Sequence, residues 1–343
     1  MRKSFSILVG AALAASVALP ALADTTTLTG AGGTAIYPVL SKWAAAYKDS
    51  KGVEVNYQAI GSGGGIAQIK AKTVAFANSD KPLKPEDLKA NKLVQFPGVI
   101  IGIVPVINLK GVAPGALVLD GKTLADIFMG TIAKWNDPAI KALNPDVELP
   151  DAQIITVHRS DGSGTTFNFA YYLAKVSKAW RDKIGADTSL PWPTGVGGKG
   201  NAGVAAYVQQ VAGSIGYVEY AYAIENKMTY TSMVNASGKT VEPSLTAFQA
   251  ASSNADFSKT KDFYLVLADQ SGEKSWPITA FTYMLMRRDA SKESNQTVLS
   301  FMSWFLNDDA AQAAAKQLEY VPLPSETVDM IKEYWKNELD ITL

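Results

Sequence analysis

The chain has 343 residues and no cysteine, which excludes disulfides, thiolate metal sites and thiol nucleophiles. Its 32 Lys and Arg residues balance 32 Asp and Glu residues, and this neutral total argues against nucleic acid, which binds net basic surfaces. The length is enough for one large domain or two ordinary domains.

The first 23 residues are typical of a secretory signal peptide. Arg2 and Lys3 form a positive start, residues 7–19 form an apolar core, and Ala21-Leu22-Ala23 is a small-x-small cleavage site. The alternative, a membrane anchor, needs a longer apolar core than this one. We therefore predict cleavage after Ala23 and export of about 320 residues to the periplasm. The exported part keeps 30 of the 32 Lys and Arg residues beside all 32 Asp and Glu residues, a net charge near −2.

Two glycine-rich segments follow, and each precedes a predicted helix. Residues 29–34 (TGAGGT) come before a helical pattern over 37–47, and residues 61–65 (GSGGG) join an alternating strand at 53–60 to a short helix near 66–70. The backbone N–H groups at a helix N-terminus are unpaired, and the helix dipole favours an anion there. Either segment alone is more often an ordinary turn than an anion site.

A predicted turn at 79–82 (SDKP) contains Asp80. The common alternative for such an aspartate is the N-cap of a helix. Because donor-rich loops surround it in the sequence, we favour a second interpretation, in which its ionised carboxylate is the acceptor of an otherwise donating site.

The most informative segment is the loop at 159–165 (RSDGSGT), between a strand predicted at 153–157 and a helix predicted at 166–176. The hydroxyls of Ser163 and Thr165 are donors, and the planar guanidinium of Arg159 has the geometry to pair with an oxyanion. The alternative for Arg159 is a surface ion pair with Asp161, worth about 0–1 kcal/mol. Three donor-rich loops ahead of helices in one chain predict an oxyanion site.

The glycine spacing at 195–200 and the single histidine are both interpreted as structural features without a ligand. The G-x-G-x-x-G spacing at 195–200 lacks the preceding strand of a dinucleotide-binding fingerprint, because residues 191–193 are Pro-Trp-Pro, and we expect an ordinary loop. His158 is the single histidine, which excludes a histidine metal cluster, and we expect its side chain to point away from that of Arg159. No metal site and no cofactor are predicted.

Apolar β-branched runs alternate with helical patterns along the chain, which predicts an α/β architecture with mostly parallel sheets. Two segments, 102–106 and 276–279, are candidate crossings between two domains. The remaining strands are predicted at 99–107, 214–219, 263–267 and 279–286, and the remaining helices at 124–129, 204–211, 297–306, 310–318 and 325–335.

These motifs together resemble the periplasmic phosphate-binding proteins of phosphate-specific ABC transporters. The resemblance covers nearly the whole chain after residue 23 and implies a hinged type II periplasmic binding fold with two α/β lobes, each a mostly parallel sheet flanked by helices. Lobe I is expected to comprise 24–102 and 279–343, and lobe II is expected to comprise 103–278. The segments that carry the resemblance are 29–32, 60–65, 79–80, 119–124, 159–165, 195–201 and 215–221.

By matching position, the resemblance implies a phosphate site shared between the lobes. Asp80 is expected to accept the proton of phosphate, and Asp161 is expected to orient Arg159. Ala35 is a departure, because many relatives have an aromatic residue there, although the implied contact comes from the backbone. The implied ligand residues are Thr34, Ala35, Ser62, Asp80, Arg159, Ser163, Gly164 and Thr165.

The implied function is high-affinity capture of inorganic phosphate in the periplasm and its delivery to the permease subunits of a phosphate ABC transporter. The protein is expected to act as a monomer, by lobe closure and without chemistry. Two alternatives stay open. A receptor for another oxyanion, such as sulfate, molybdate or arsenate, would keep the donors but would not need Asp80. A secreted phosphatase would need a base beside Ser163, and the sequence shows no candidate.

Overall fold

The computed structural model describes residues 27–343, so the predicted signal peptide at 1–23 lies outside the described residues. The strands are β1 Thr27–Gly32, β2 Glu54–Ala59, β3 Phe76–Ser79, β4 Leu93–Ile107, β5 Val118–Leu119, β6 Ile155–Arg159, β7 Val196–Gly198, β8 Ser214–Glu219, β9 Thr229–Tyr230, β10 Ser232–Val234, β11 Thr240–Val241 and β12 Thr279–Arg287. The helices are α1 Tyr37–Lys51, α2 Ser62–Lys70, α3 Pro85–Ala90, α4 Gly121–Phe128, α5 Pro138–Leu143, α6 Gly164–Val176, α7 Lys178–Lys183, α8 Gly200–Gln210, α9 Tyr220–Glu225, α10 Leu245–Ser252, α11 Lys292–Asn307, α12 Asp309–Gln317 and α13 Ser325–Leu339.

A nine-stranded sheet runs through the described residues, and helices pack against it. Its order is β2-β1-β3-β12-β4-β8-β6-β7, with β9 also paired to β4. A separate small sheet has the order β11-β10-β5. The two halves of the large sheet therefore share strand β4.

Strand β4 changes partner in the middle of its length. Residues 93–102 pair with β12, whereas Ile103 and the residues after it pair with β8. The first residue of β12, Thr279, lies opposite Gly102. The two predicted crossings thus fall where one half of the sheet passes into the other. The lobe boundaries themselves stay a prediction, which this pairing supports.

The sheet is mixed, and the expectation of mostly parallel sheets holds only for its outer strands. Strand β1 is parallel to β2 and β3, and β6 is parallel to β7 and β8. The central strands β12 and β4 run antiparallel to their neighbours. Parallel neighbours need a crossover connection that returns the chain to the same end of the sheet, and these two strands instead carry the chain directly from one half to the other.

Strand β4 is longer than predicted, because it begins at Leu93 rather than at residue 99. Pro97 and Gly98 interrupt the strand pattern, since proline lacks a backbone donor and glycine weakens a strand. The register between β4 and β12 shifts after Thr282, which leaves Gly98 as the extra residue of a bulge.

The strand predicted at 263–267 is wrong. Asp262 and Phe263 have φ angles of 51° and 54°, and consecutive residues with positive φ cannot continue an extended strand. Instead of strand pairing, a buried side chain and a hydrogen bond to a backbone carbonyl hold this segment in place. Phe263 is buried, and the hydroxyl of Tyr283 donates to the carbonyl oxygen of Leu265 over 2.6 Å.

Most other predicted elements are present with displaced ends. Strand β8 has the predicted bounds, and α6 begins at Gly164, two residues before the prediction. The prediction missed β1, β3 and most of the short helices. These pieces are too short to show a clear hydrophobic period.

Aromatic side chains pack the helices against one another. Trp43 of α1 stacks on Phe305 of α11 with ring centroids 4.4 Å apart, and Phe128 of α4 meets Phe169 of α6 edge-on at 4.9 Å. All four side chains are buried. Because such packing leaves little room for rotation, it fixes where the N-termini of α1 and α6 point.

The crossing strand has no room for a side chain at Gly102. A Cβ there would lie 2.0 Å from Cζ of the buried Phe248. We expect Gly102→Ala to lower the free energy of unfolding by about 1–3 kcal/mol, because the ring must move out of a packed site. Urea denaturation measures this change. Gly98→Ala is the matched control on the same strand and should cost less, since its nearest neighbour is the flexible Met284 side chain at 3.2 Å. Equal stabilities of the two variants would contradict the assigned clash with Phe248.

Candidate functional site

Segments from both halves of the sheet meet at Asp80, which directly follows β3. The backbone N–H of Asp80 donates to Ser62 Oγ over 3.2 Å, and its carbonyl oxygen accepts from Asn168 Nδ2 over 2.7 Å. A Cβ on Gly164 would lie only 2.4 Å from Ser62 Oγ. The loop ahead of α6 therefore packs at backbone contact distance against the loop ahead of α2.

The first helix N-terminus brings Thr34 and Ala35 to this point. Both residues are buried, and the N–H of Tyr37 donates to the carbonyl oxygen of Thr34 over 3.2 Å. Tyr222, from the other half of the sheet, donates its hydroxyl to the same carbonyl over 2.8 Å. The turn before α1 is thus held from both sides.

The second helix, α2, begins at Ser62 itself. Its entry needs glycine, because Gly61 has a φ of 87° and a Cβ there would lie 2.4 Å from Asp161 Oδ2. The N–H of Gly63 donates across the two halves to the carbonyl oxygen of Gly162 over 2.9 Å. The glycine-rich sequence is therefore explained by close backbone approach.

The third N-terminus belongs to α6, with Ser163 as its N-cap. Ser163 Oγ accepts from the N–H of Thr166 over 3.0 Å, so its O–H remains a donor. The N–H of Ser163 is used by the carbonyl oxygen of Thr188. Gly164 and Thr165 are the first two helical residues, whose N–H groups have no acceptor within the helix. Their amides face the position where an anion is stabilised by the helix dipole.

Arg159 ends β6 with its side chain 1% exposed. Its Nε donates to Asp161 Oδ1 over 2.7 Å and its Nη2 to Asp161 Oδ2 over 2.5 Å, while Nη1 lies 3.4 Å from Thr165 Oγ1. Asp161 also accepts from the N–H of Gly200 over 2.9 Å. Burial raises the pKa of Asp161, but the hydrogen bonds and charge of Arg159 outweigh it, and the pKa is lowered overall. The alternative of a solvated surface pair is wrong for this buried fork.

The carboxylate of Asp80 is the least satisfied charged group of the site. It is buried, and its Oδ1 has no hydrogen-bond partner among the described residues. Burial raises the pKa of Asp80 to about 6, although the hydroxyl of Thr282 and the charge of Arg159 lower it. The helix N-cap alternative is wrong, because the next helix begins at Pro85 with Lys84 as its N-cap. A desolvated acceptor among donors is typical of a functional site.

The predicted site residues are thus brought together, with the donors from both halves of the sheet around one acceptor. A cavity of about 270 Å³ opens beside the cluster, and Thr34, Tyr37, Asp161, Lys199 and Tyr222 are among the residues that line it. Within residues 27–343, no group of His, Asp and Glu side chains could hold a metal ion, and no helix is long and apolar enough to cross a membrane.

The expectation of an ordinary loop at 195–200 is wrong. The segment forms β7 and the start of α8, and the N–H of Gly200 contacts Asp161. The next residue, Asn201, donates to Thr34 Oγ1 over 2.8 Å. The glycine spacing was the available signal, but the Pro-Trp-Pro that precedes it gave no indication of the short strand β7. His158 lies outside the cluster, where its ring stacks on Trp192 with centroids 4.7 Å apart.

A buried acid beside the site was not predicted from the sequence. Glu219 ends β8, and its Oε2 accepts from the N–H of Ala221 and from the hydroxyl of Tyr320, each over 3.0 Å. Burial raises the pKa of Glu219 well above its ordinary value. The same Tyr320 hydroxyl lies 2.6 Å from the carbonyl oxygen of Ala35, so its single proton is shared between the two acceptors. The one sequence signal for Glu219 was an acid at the end of an apolar strand, and that signal does not identify Tyr320 as its partner.

Comparison with known proteins places the chain among binding proteins. A model of the PBP superfamily domain matches residues 20–309. The chain is 54% identical over 312 residues to the phosphate-binding protein PstS of Xylella fastidiosa (strain 9a5c), covering 91% of this chain and 85% of that protein. It is 50% identical over 318 residues to the phosphate-binding protein PstS of Haemophilus influenzae (strain Rd), covering 92% and 95%.

A solved structure shows the same fold. It is a high-affinity periplasmic phosphate-binding protein (PfluDING) bound with phosphate, which superposes with a TM-score of 0.71 at 19% identity and covers 90% of this chain and 93% of that one. The expected α/β fold of periplasmic binding proteins is therefore confirmed, whereas the roles of individual residues are not tested by this likeness.

Burial of the ionised Asp80 carboxylate lowers the free energy of unfolding, and this effect depends on pH. Because the pKa of Asp80 is raised in the folded chain, the folded state binds more protons between about pH 4 and pH 6, and the penalty is complete above pH 6. We expect Asp80→Asn to raise the free energy of unfolding at pH 8 by up to about 3 kcal/mol and to have no such effect at pH 4. Urea denaturation at the two pH values measures the difference. A destabilised Asp80→Asn variant at pH 8 would contradict it.

Proposed function

The chain belongs to the PstS family of phosphate-binding proteins, and from this membership we propose that it captures inorganic phosphate between two lobes. The observation that carries the proposal is the buried Oδ1 of Asp80, which has no partner among the described residues at a point where donors from both halves of the sheet converge. We propose the lobe division at 24–102 with 279–343 and at 103–278, because β4 exchanges its partners there.

We assign most of the contacts to phosphate to hydroxyl and amide donors. The hydroxyls of Thr34, Ser62, Ser163 and Thr165 donate, together with the guanidinium of Arg159, which Asp161 orients. The amides of the helix N-termini add further donors, those of α1 and α6 above all. Several of these groups are already positioned by the hydrogen bonds described above, Ser163 as an N-cap and Arg159 by Asp161. The assigned residues are Thr34, Ala35, Ser62, Asp80, Arg159, Ser163, Gly164 and Thr165.

Asp80 supplies the discrimination between phosphate and sulfate. Phosphate near neutral pH carries at least one P–O–H proton, which an ionised carboxylate accepts. Sulfate has no proton to donate, so its oxygen would lie against a buried negative charge. Such a mismatch costs several kcal/mol, on the order of 10⁴-fold in affinity. The pKa of about 6 keeps Asp80 ionised at pH 7–8.

Capture is proposed to proceed by closure of the lobes. Contacts between the proposed lobes include Gly63 to Gly162, Asn168 to Asp80, and the ion pair of Lys81 with Asp187 at 2.6 Å. A ligand that binds only when these contacts form shifts the population toward the closed state. The closed form is then the species that permease subunits of a phosphate ABC transporter recognise. Export through the signal peptide, with cleavage after Ala23, places it in the periplasm.

We propose binding without turnover. Ser163 Oγ is engaged as the N-cap of α6, and the single histidine stacks on Trp192, so neither is arranged as a nucleophile with its base. Incubation with a chromogenic phosphate ester tests this, and sustained product release proportional to protein would favour a phosphatase. The protein is proposed to act as a monomer without nucleic acid or cofactor.

The selectivity of Asp80 is tested by calorimetric titration of phosphate-stripped protein at pH 8. We expect one-to-one binding of phosphate with no heat from sulfate, and we expect Asp80→Asn to narrow the preference from on the order of 10⁴-fold to about 10²-fold or less. At pH 5 the wild-type carboxyl is protonated, because its pKa is about 6, and sulfate should then bind. The Asp80→Asn variant should bind sulfate equally at both pH values.

The outcomes separate the alternatives. Sulfate binding by the wild type at pH 8 would indicate a general oxyanion receptor. Unchanged sulfate rejection in Asp80→Asn would remove Asp80 from this role.

The guanidinium fork gives a second test. We expect Arg159→Lys to weaken phosphate binding at least about tenfold, because an ammonium cannot pair with both oxygens of Asp161 and still reach the ligand. Arg181→Lys is the matched control, since Arg181 is exposed on α7, and it should bind as the wild type does. Wild-type affinity in Arg159→Lys, measured by the same titration, would exclude Arg159 from the phosphate contacts.

A further inference from the structure

Asn201 lies between the two proposed lobes and is fully buried as the second residue of α8. Its side chain contacts two of the hydroxyls assigned to phosphate, Thr34 from one lobe and Thr165 from the other. The resemblance to known proteins assigned Asn201 no role.

The orientation of the Asn201 amide is fixed by its neighbour. Its Oδ1 accepts from the backbone N–H of Glu219 over 2.9 Å, and a backbone N–H can only donate. The Nδ2 group must therefore point the other way. It donates to Thr34 Oγ1 over 2.8 Å and lies 3.4 Å from Thr165 Oγ1.

The contacts from Asn201 determine which part of the Thr34 hydroxyl remains available to a ligand. A hydroxyl oxygen has two lone pairs and one proton. Thr34 Oγ1 accepts twice from Asn201, from the side-chain Nδ2 over 2.8 Å and from the backbone N–H over 3.2 Å. Both lone pairs are then occupied, and the proton of Thr34 is the only part left for a ligand.

Thr165 is in a similar position. Its Oγ1 is approached by Arg159 Nη1 and by Asn201 Nδ2, each at 3.4 Å. These contacts are longer, so the constraint on Thr165 is weaker than that on Thr34. Both hydroxyls are nevertheless surrounded by donors on the protein side.

We propose that Asn201 is a positioning residue that turns the hydroxyls of Thr34 and Thr165 into obligate donors to phosphate when the lobes close. The inference rests on the proposed function. Its consequence concerns the phosphate proton, which Thr34 cannot accept because both lone pairs of its oxygen are occupied. The proton is directed to the unpartnered carboxylate oxygen of Asp80, so Asn201 sharpens the selectivity that the carboxylate provides.

The test is a double-mutant cycle measured by phosphate titration at pH 8. Asn201→Ala should weaken binding about tenfold in the wild type and less than about threefold in Thr34→Val, because the hydroxyl through which it acts is absent. In Thr34→Ser, which keeps the hydroxyl, the full tenfold loss should return. A purely structural link between lobes would give the same loss in all three backgrounds.

The matched control is Asn168→Ala. Asn168 is another buried amide at the lobe boundary, but it donates to the carbonyl oxygens of Asp80 and Gly164 and contacts no assigned hydroxyl. Its effect should be the same with Thr34 and with Thr34→Val. Coupling of equal size for both asparagines would overturn the inference.

The remaining outcomes are distinguishable. If Asn201→Ala does not fold by circular dichroism, Asn201→Leu replaces it, because it keeps a side chain of similar volume and removes the amide without adding a charge or an acceptor. If the wild type binds phosphate and Asn201→Ala weakens binding as much in Thr34→Val as in the wild type, the inference is wrong and the proposed function stands. A folded wild-type protein that does not bind phosphate overturns the proposed function and the inference together.

Discussion

Burial of the Asp80 carboxylate is the constraint on which the rest of the cleft depends. A desolvated charge whose Oδ1 has no partner within residues 27–343 is costly, and only a proton donor at that position satisfies it. The groups around it are largely the hydroxyls and amides of helix N-termini and the Arg159 guanidinium, and none of them is hydrogen-bonded to Asp80 Oδ1. An oxyanion that carries a proton satisfies both sides at once. The site therefore favours a protonated oxyanion over one that has no proton to donate.

The assembly of the site follows from the course of two central strands. Because β4 and β12 carry the chain between the halves of the sheet, the N-termini of α1 and α2 come to face that of α6 across a narrow gap. Glycines at the contact allow backbone atoms to approach, as at Gly63 and Gly162. The shape of the site is set by helix ends that the aromatic core holds in place.

The elements with a strong local signal could be predicted from the sequence, and those without one could not. Strand β8 has the predicted bounds since its apolar residues Ile215, Tyr217 and Val218 follow the turn residue Gly213 and end at an acid. The first part of β4 was hidden by Pro97 and Gly98, which only a bulge against β12 accommodates. The segment at 263–267 has strand composition, but two residues with positive φ bend it away. In each failure a distant partner decided the local conformation.

The sequence by itself determined the residue types that suit an oxyanion and the order of loops and helices that presents them, because both are local properties. It favoured Asp80 and Arg159 as ligand candidates, while a helix cap and a surface pair stayed open as alternatives. Only the tertiary structure excluded those two alternatives, since the burial of both side chains arises from elements far apart in the chain. The contact of Asn201 with Thr34 joins residues 167 positions apart, a separation that no local pattern encodes.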